Sequence, residues 1–339
     1  MDIIISNRVR LARNLKKYSF PSKLSASAAN EMIEDVKKSI LETPTIMANQ
    51  FEFMNMEKKE PLDKLVMMEK HLISPEFVKK TTVPTGLLLK QDETVSIMIN
   101  EEDHLRIQAI RQGEDIHKTW ELTSRIDDLL EETLEYAFHE KYGYLTACPT
   151  NLGTGLRASY MIHVPALEVT GQLKVILQAI GKFGITIRGM YGEGTEAQGS
   201  LFQISNQITL GQSEQEIMEN LNTVTQHIVE QERRLREVML QQNRLAFEDR
   251  VFRSYGILTH ARQLTSKEAM RLLSDIKVGF ELEILKAQQM PVNIYDLMVC
   301  TQPANLQRKI GKTIQGEERD VERARFLRKY LPKLMTTNE

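Results

Sequence analysis

Apolar residues recur along this chain with two periods, and the periods divide it into helices and strands. Met32, Ile33, Val36 and Ile40 fall on one face at helical spacing, so residues 25–42 are expected to form an amphipathic helix that covers a sheet. The same spacing predicts helices over residues 61–71, 173–183 and 124–142, the last with Ile126, Leu129, Leu130, Leu134 and Phe138 inward. Shorter β-rich runs at 51–56, 94–100, 185–187 and 200–210 read as strands. An apolar run that ends at Cys148 reads as a strand stopping at the thiol, followed by a sharp turn through Pro149 and two glycines. Ser213 and Glu216 have capping-box spacing and open a helix carrying Ile217, Leu221, Val224 and Ile228 into the 230s. From about residue 240 the pattern is helical throughout, with Thr265 and Glu268 capping one helix and Asn293 starting another. The chain therefore divides into residues 1–240, strands with helices, and residues 241–339, helices alone. No glycine-rich linker separates the two, so the second domain is expected to dock on the first.

Composition narrows the function classes. At 339 residues, 27% charged and 41% hydrophobic, the chain reads as an ordinary soluble globular protein. A formal charge of -2 gives no overall attraction to nucleic acid or membrane, so any attraction to anions must be local. Cys148 and Cys300 lie far apart without metal-ligand spacing, which argues against a disulfide framework or a zinc site. Neither a signal peptide nor a bilayer-length apolar run is present, and a reducing cytoplasm is expected.

Local chemistry then stands out at five places. Arg8 and Arg10 alternate in an extended segment and so share a face, as a two-pronged clamp for an anion or as a plain basic terminus. Cys148 precedes a turn rich in free N–H groups, near Arg157, a setting that favours a thiolate but also suits a small buried hydrophobe. Glu101, Glu102, Asp103, His104 and Arg106 follow a strand end, where catalytic groups are often mounted and acidic turns are also common. Residues 188–196 form a glycine-rich loop with one arginine and two acids. Arg319 and Arg323, four apart on a helix, share a face, which reads as a solvated ion-pair surface or as a grip for a phosphoryl group. Gly311-Lys312-Thr313 is not a phosphate-binding Walker loop, because Leu306 holds the place of the required earlier glycine.

The stretch C-P-T-N-L-G-T-G-L-R-A-S from Cys148 resembles the active-site cysteine signature of the phosphagen (guanidino) kinases. So do S-x-R-x-R at Ser6 to Arg10, E-K-H-L-I-S-P around His71, N-E-E-D-H-L-R at Asn100 to Arg106, and R-G-M-Y-G-E-G-T-E at Arg188 to Glu196. The resemblance implies an α+β fold, an antiparallel sheet flanked by helices of glutamine-synthetase-like type, followed here by the small all-α domain. It implies ATP and Mg²⁺ as cofactors with no metal held by the protein itself. It implies a nucleotide site made by Ser6, Asn7, Arg8, Val9 and Arg10, by His71 against the adenine, by Arg106, and by Arg157, Ala158, Ser159, Tyr160 and Met161. Arg188, Gly189, Met190, Tyr191 and Gly192 complete that site. Glu102 and Glu193 are implied to hold the guanidinium and Cys148 to lie beside it. The pattern departs from the family at Tyr160-Met161, where valine and histidine are usual, which puts that histidine's role in doubt.

Two features point within the family to its bacterial protein-arginine kinases. The family carries an all-helical domain of about 100 residues ahead of S-x-R-x-R, and only five residues precede it here, so the cleft is expected to admit an arginine of a folded protein. The stretch R-D-x-x-R-A resembles their phosphoarginine-reading motif, which implies Arg319, Asp320, Arg323 and Ala324 as binding residues. The implied activity is phosphorylation of protein arginines, marking proteins for proteolysis under stress, with allosteric sensing by the tail. The implied partners are a transcriptional repressor and misfolded proteins as substrates, a zinc-binding activator and a Clp-type ATPase or protease, with a homo-oligomer expected. Membrane and direct nucleic-acid binding are not expected. A kinase for free arginine and a non-catalytic phosphoarginine adaptor are the alternatives.

Overall fold

The computed structural model describes residues 3–44, 48–190, 198–289 and 292–335. Its strands are β1 (Ile4–Arg13), β2 (Phe51–Asn55), β3 (Gly86–Lys90), β4 (Val95–Ile99), β5 (Leu105–Gln112), β6 (Phe138–His139), β7 (Gly143–Tyr144), β8 (Leu156–His163), β9 (Ile185–Gly189) and β10 (Leu201–Asn206). The helices of the first half are α1 (Ala26–Leu41), α2 (Pro61–Glu69), α3 (Pro75–Lys79), α4 (Ile116–Glu131), α5 (Pro165–Val169), α6 (Gln172–Ile180) and α7 (Glu214–Gln242). Those of the second half are α8 (Arg244–His260), α9 (Ser266–Glu281), α10 (Ile294–Cys300), α11 (Pro303–Ile310) and α12 (Gly316–Tyr330). Eight strands form one sheet in the order β2-β3-β4-β5-β1-β8-β10-β9, while β6 and β7 make a separate hairpin. Every neighbouring pair is antiparallel.

Strand β1 sits between β5 and β8, and its alternation sets the character of the two sheet faces. Val9 and Leu11 point to one face and join Ile107, Ala158 and Ile204 under α1, α4 and α7, in a core with Met32, Val36, Ile126 and Leu221. The intervening Arg8 and Arg10 are left on the opposite face. A second core fills the helical half, and Met161 and Leu201 of the sheet, with Met190 just beyond β9, belong to it. The two halves also share buried charge. Glu232 of α7 accepts from Ala166 N and Leu167 N and from Arg236 Nε, and Arg236 reaches Glu281 of α9 at 2.8 Å. The second half is thus docked, as the missing linker predicted. Among the described residues no helix is long and apolar enough to cross a membrane.

Several elements depart from the sequence reading. The helix expected over 124–142 begins at Ile116, where Asp115 caps it by accepting from Lys118 N at 3.1 Å, and stops at Glu131. Phe138, expected inward, lies in the hairpin at 57% exposure. Strands β3 and β5 were not foreseen: β3 is buried on both faces and shows no alternation, and the start of β5 is masked by the acids before it. The strand expected to end at Cys148 is only Gly143–Tyr144, and the long strand β8 follows the cysteine loop instead of preceding it. Competing local bonds explain this: Tyr144 N donates to Gly153 O and Leu145 N to Ala137 O, which ties the segment into a knot of turns. The caps at Ser213, Thr265 and Asn293 form as their spacing indicated.

Two buried groups at the end of β1 support testable predictions. Arg13 is 1% exposed, pairs with Asp127 at 2.7 Å, lies 3.5 Å from the Tyr144 ring centroid and donates to Thr154 O. Arg13→Ala leaves a buried carboxylate unpaired and is expected to cost about 3–5 kcal/mol, read as a lower urea midpoint. His104 accepts from Leu15 N through Nδ1 at 3.0 Å and has Nε2 2.9 Å from Ser19 O, which fits the neutral Nε2–H tautomer. Burial lowers its pKa from the usual 6.5, so on acidification the unfolded chain takes up a proton before the native one does. Its contribution to stability is therefore complete above pH 6.5 and is lost as pH falls below that value. Melting temperatures of the parent chain and His104→Gln at about pH 7.5 and about pH 5.5 are expected to show a smaller acid-induced drop in the variant.

Candidate active site

The face of the sheet that the core helices leave uncovered carries a row of arginines fixed by strand register. Arg10 lies opposite Gln108 of β5 and Arg157 of β8; Arg8 lies opposite Ser159. Arg106 of β5 lies opposite Ala12, and Arg188 of β9 opposite Gln203 of β10. These five arginines line one cleft of about 690 Å³ with His71, Glu101, Glu102, Cys148, Asn151, Met190 and Gln203. Like charges held this close oppose one another. Burial lowers the Arg8 pKa to about 10, with Arg157 and Arg106 adding to it, and burial with Arg8, Arg157 and Arg106 also holds that of Arg10 well below its usual value. Arg8 donates to Gln203 Oε1 at 2.7 Å, but Arg10 Nε is buried with no hydrogen-bond partner among the described residues. Such a cradle is complementary to a polyanion.

The acidic motif after β4 spreads four consecutive side chains over four tasks. Glu101, 3% exposed, accepts from Ser74 Oγ at 2.6 Å and pairs with Arg106 at 2.8 Å. Glu102 is exposed to the cleft, 3.0 Å from Arg106 and 3.3 Å from Asn151 Nδ2. Asp103 is buried and accepts from Asn14 Nδ2 and Ala147 N, each at 2.6 Å, so it anchors the residue before Cys148. Burial pushes its carboxyl up, and the two donors pull it down. His104 pins the end of β1.

Cys148 is partly exposed, with Sγ 3.0 Å from Thr150 Oγ1. Its loop is held from below by Thr209 Oγ1, which donates to Thr150 O and Leu152 O at 2.9 and 2.7 Å. Gly153 in this loop has φ +109°, and a Cβ there would come within 2.5 Å of Thr209 O, so only glycine fits. His71 also lines the cleft, with φ 61°; burial and the nearby Arg8 hold its imidazole at about 3, neutral in ordinary buffers.

The remaining expected site residues fall in several places. Ser6 and Ser159 share the strand face of Arg8. The side chains of Asn7, Val9, Ala158 and Tyr160 lie on the opposite, helix-covered face. Asn7 Nδ2 donates to Gly113 O, and the Tyr160 hydroxyl bonds to Glu114 O and Asn222 Oδ1. Strand alternation permits these four only backbone contact with the cleft. Met161 and Met190 pack against the helical half, and Gly189 pairs with Phe202 beside Arg188. Tyr191, Gly192 and Glu193 lie outside the described residues.

On α12 the arginine pair does not share an open face. Arg323 is 1% exposed and donates to Thr301 O, Leu264 O and Asp320 Oδ1, and Ala324 is in the core. Arg319 is half-buried, with Nε lacking a hydrogen-bond partner among the described residues. Sequence reasoning missed Glu101, Asp103 and Gln203 as parts of the site. The first two were visible as members of the acidic motif; Gln203 carries no signal without knowledge of strand pairing.

A family model described as ATP:guanido phosphotransferase, C-terminal catalytic domain, matches residues 31–235. One described as the protein-arginine kinase McsB C-terminal domain matches residues 244–339. A protein-arginine kinase of Caldanaerobacter subterraneus is 48% identical over 333 residues, covering 98% of each chain. That of Bacillus subtilis is 44% identical over 330 residues, covering 97% of this chain and 90% of the relative. Among solved structures, a duplicated taurocyamine kinase from Schistosoma mansoni, with bound transition state analog components, superposes with TM-score 0.61 at 25% identity. The match covers 68% of this chain and 33% of that one. A lombricine kinase superposes with TM-score 0.61 at 24% identity, over 69% of this chain and 67% of that one. With more than half its length matched by the phosphotransferase model and nearly all of it aligned to such relatives, the chain belongs to the ATP:guanido phosphotransferase family, in its protein-arginine kinase branch.

Proposed function

We propose that this chain transfers the γ-phosphoryl group of ATP to the guanidinium of arginine side chains in proteins. The observation that carries the reading is the single cleft in which five arginines face Glu102 and Cys148. Arg8, Arg10, Arg106, Arg157 and Arg188 bind the triphosphate and stabilise the charge that spreads over the transferring group. Mg²⁺, when bound with the nucleotide, neutralises phosphate charge. Among the described residues no group of three or more His, Cys, Asp or Glu could hold a metal ion; the ion would come with the nucleotide, with phosphate oxygens and water as its ligands.

Arginine is a weak nucleophile because its pKa lies above about 12. In this reading Glu102, open to the cleft, orients the acceptor guanidinium and takes the proton that leaves its nitrogen as the N–P bond forms and the bond to ADP breaks. Cys148 as thiolate adds a negative contact and does not attack. Glu193 is assigned the other edge of the guanidinium on resemblance. His71, kept neutral, offers an uncharged surface to the adenine.

The finer parts of the reading rest on the resemblance of the R-D-x-x-R-A stretch and on the setting of α12. Arg319, with its unsatisfied Nε, takes the phosphoryl group of a phosphoarginine, while Arg323 and Asp320 hold the helix in place, and occupancy biases the kinase. Proteins so marked pass to a Clp-type ATPase or protease under stress, with a repressor and misfolded proteins as substrates. A zinc-binding activator, a homo-oligomer and a cytoplasmic location belong to the same proposal.

Incubation with Mg-ATP and an unfolded basic protein, followed by mass spectrometry, is expected to find acid-labile phosphate on arginine. Label on hydroxyl oxygens, or on free arginine alone, overturns the assignment. Glu102→Ala is expected to lower kcat by about 10²-fold or more while nucleotide affinity stays near that of the parent, as seen in steady-state rates and nucleotide titration.

A further inference from the structure

Helix α2 ends at the cleft, and the other half of the molecule grips that end. Glu69, the last residue of α2, is 5% exposed although it is charged. Its Oε1 accepts from Ala304 N at 2.8 Å, and its Oε2 from Asn305 N at 2.8 Å and Asn305 Nδ2 at 2.9 Å. These are opening amides of α11, whose own N-cap residue, Gln302, provides no side-chain bond. A carboxylate at that place satisfies donors that the helix cannot satisfy itself and meets the positive end of its dipole. A second tie joins the same two helices, Arg308 to Asp63 at 3.5 Å.

Two residues beyond Glu69 the chain reaches His71 in the left-handed region, a conformation that persists only where its surroundings impose it. The sheet supplies one restraint: Gln108 Nε2 donates to His71 O at 2.9 Å and to Leu72 O at 3.1 Å. Glu69 supplies the other. The segment from Glu69 to Leu72 therefore spans from the helical half to the sheet, and His71, which lines the cleft, lies on it. The charge of Arg319 on α12 also acts on Glu69, favouring its ionised form against burial.

We propose that Glu69 is a positioning residue for the nucleotide: it transmits the placement of α11 to His71, so that the helical half sets how tightly the cleft holds ATP. This rests on the reading of the cleft as a nucleotide site. A residue that only glued the two halves together would alter melting without altering nucleotide affinity in the folded protein. A residue that acts through His71 makes the two substitutions non-additive.

The test uses the full chain, titrated with a fluorescent ATP analogue and Mg²⁺ in the absence of acceptor, beside circular dichroism and melting curves. Glu69→Ala is expected to raise the analogue Kd by about fivefold or more. In steady-state assays KM for ATP is expected to rise with it, while kcat at saturating ATP stays within about twofold. His71→Ala is expected to raise Kd as well, and the double variant to be no weaker than His71→Ala alone. Glu69→Gln keeps the volume and one acceptor oxygen, so it serves where Glu69→Ala does not fold; a smaller rise in Kd is expected. A parent-like Kd in folded Glu69 variants, or effects that add in the double variant, overturns the proposal. Failure of the parent chain to bind the analogue overturns the nucleotide reading instead, so the two failures are distinguishable.

Discussion

Guanidinium groups crowded on one side of a sheet repel each other, and most of this architecture follows from holding them there. A central strand does so at low cost, because β1 is paired along both edges and its Val9 and Leu11 are locked in the core. The arginines between them have no other direction in which to point. Their mutual repulsion makes this face complementary to a polyanion, whose charge would relieve what folding had to impose. The same arrangement explains why Arg106 rests against Glu101 and Glu102: the cleft carries part of its counter-charge internally.

The acidic motif shows how one short stretch can serve both chemistry and construction. Successive residues after β4 point in different directions, so Glu102 reaches the cleft while Asp103 turns under the cysteine loop and His104 turns under β1. Glu102 and Cys148 are thereby placed from one piece of backbone. Asp103 bonds to Ala147 N, next to the thiol, and is itself next to Glu102. Their separation then depends on few intervening bonds, as reactions that need close alignment of acceptor and donor require.

Much of this was legible in the sequence, and the reasons differ by region. Helices with a clear apolar stripe, such as α1 and α7, and caps such as Ser213, carry their own local signal. The arginine face was legible because alternation in an extended strand is local too. Strand β3 was not, because burial on both faces removes alternation, and the cysteine segment was misread because turn bonds outcompeted its apolar run. For the site, motif residues were identifiable as a set, but which of them face the cleft was not: Asn7 and Tyr160 lie within the motifs yet bond on the far face. The α12 pair was legible only in part, for a similar reason. Helical spacing predicts a common face, but not that the face is covered, as it is over Arg323.

Met161 and Leu201 lie in strands of the first half and Met190 directly follows β9, yet all three belong to the core of the helical half. Glu232 and Arg236, on the helix that joins the halves, likewise have neighbours on both sides. Cutting the chain near Asn243 would therefore not liberate a smaller enzyme. It would bare a methionine-lined surface beside the cleft and strand a carboxylate and a guanidinium in a half-open interior, so the wall of the cleft and the tail that leans on it stand or fall together.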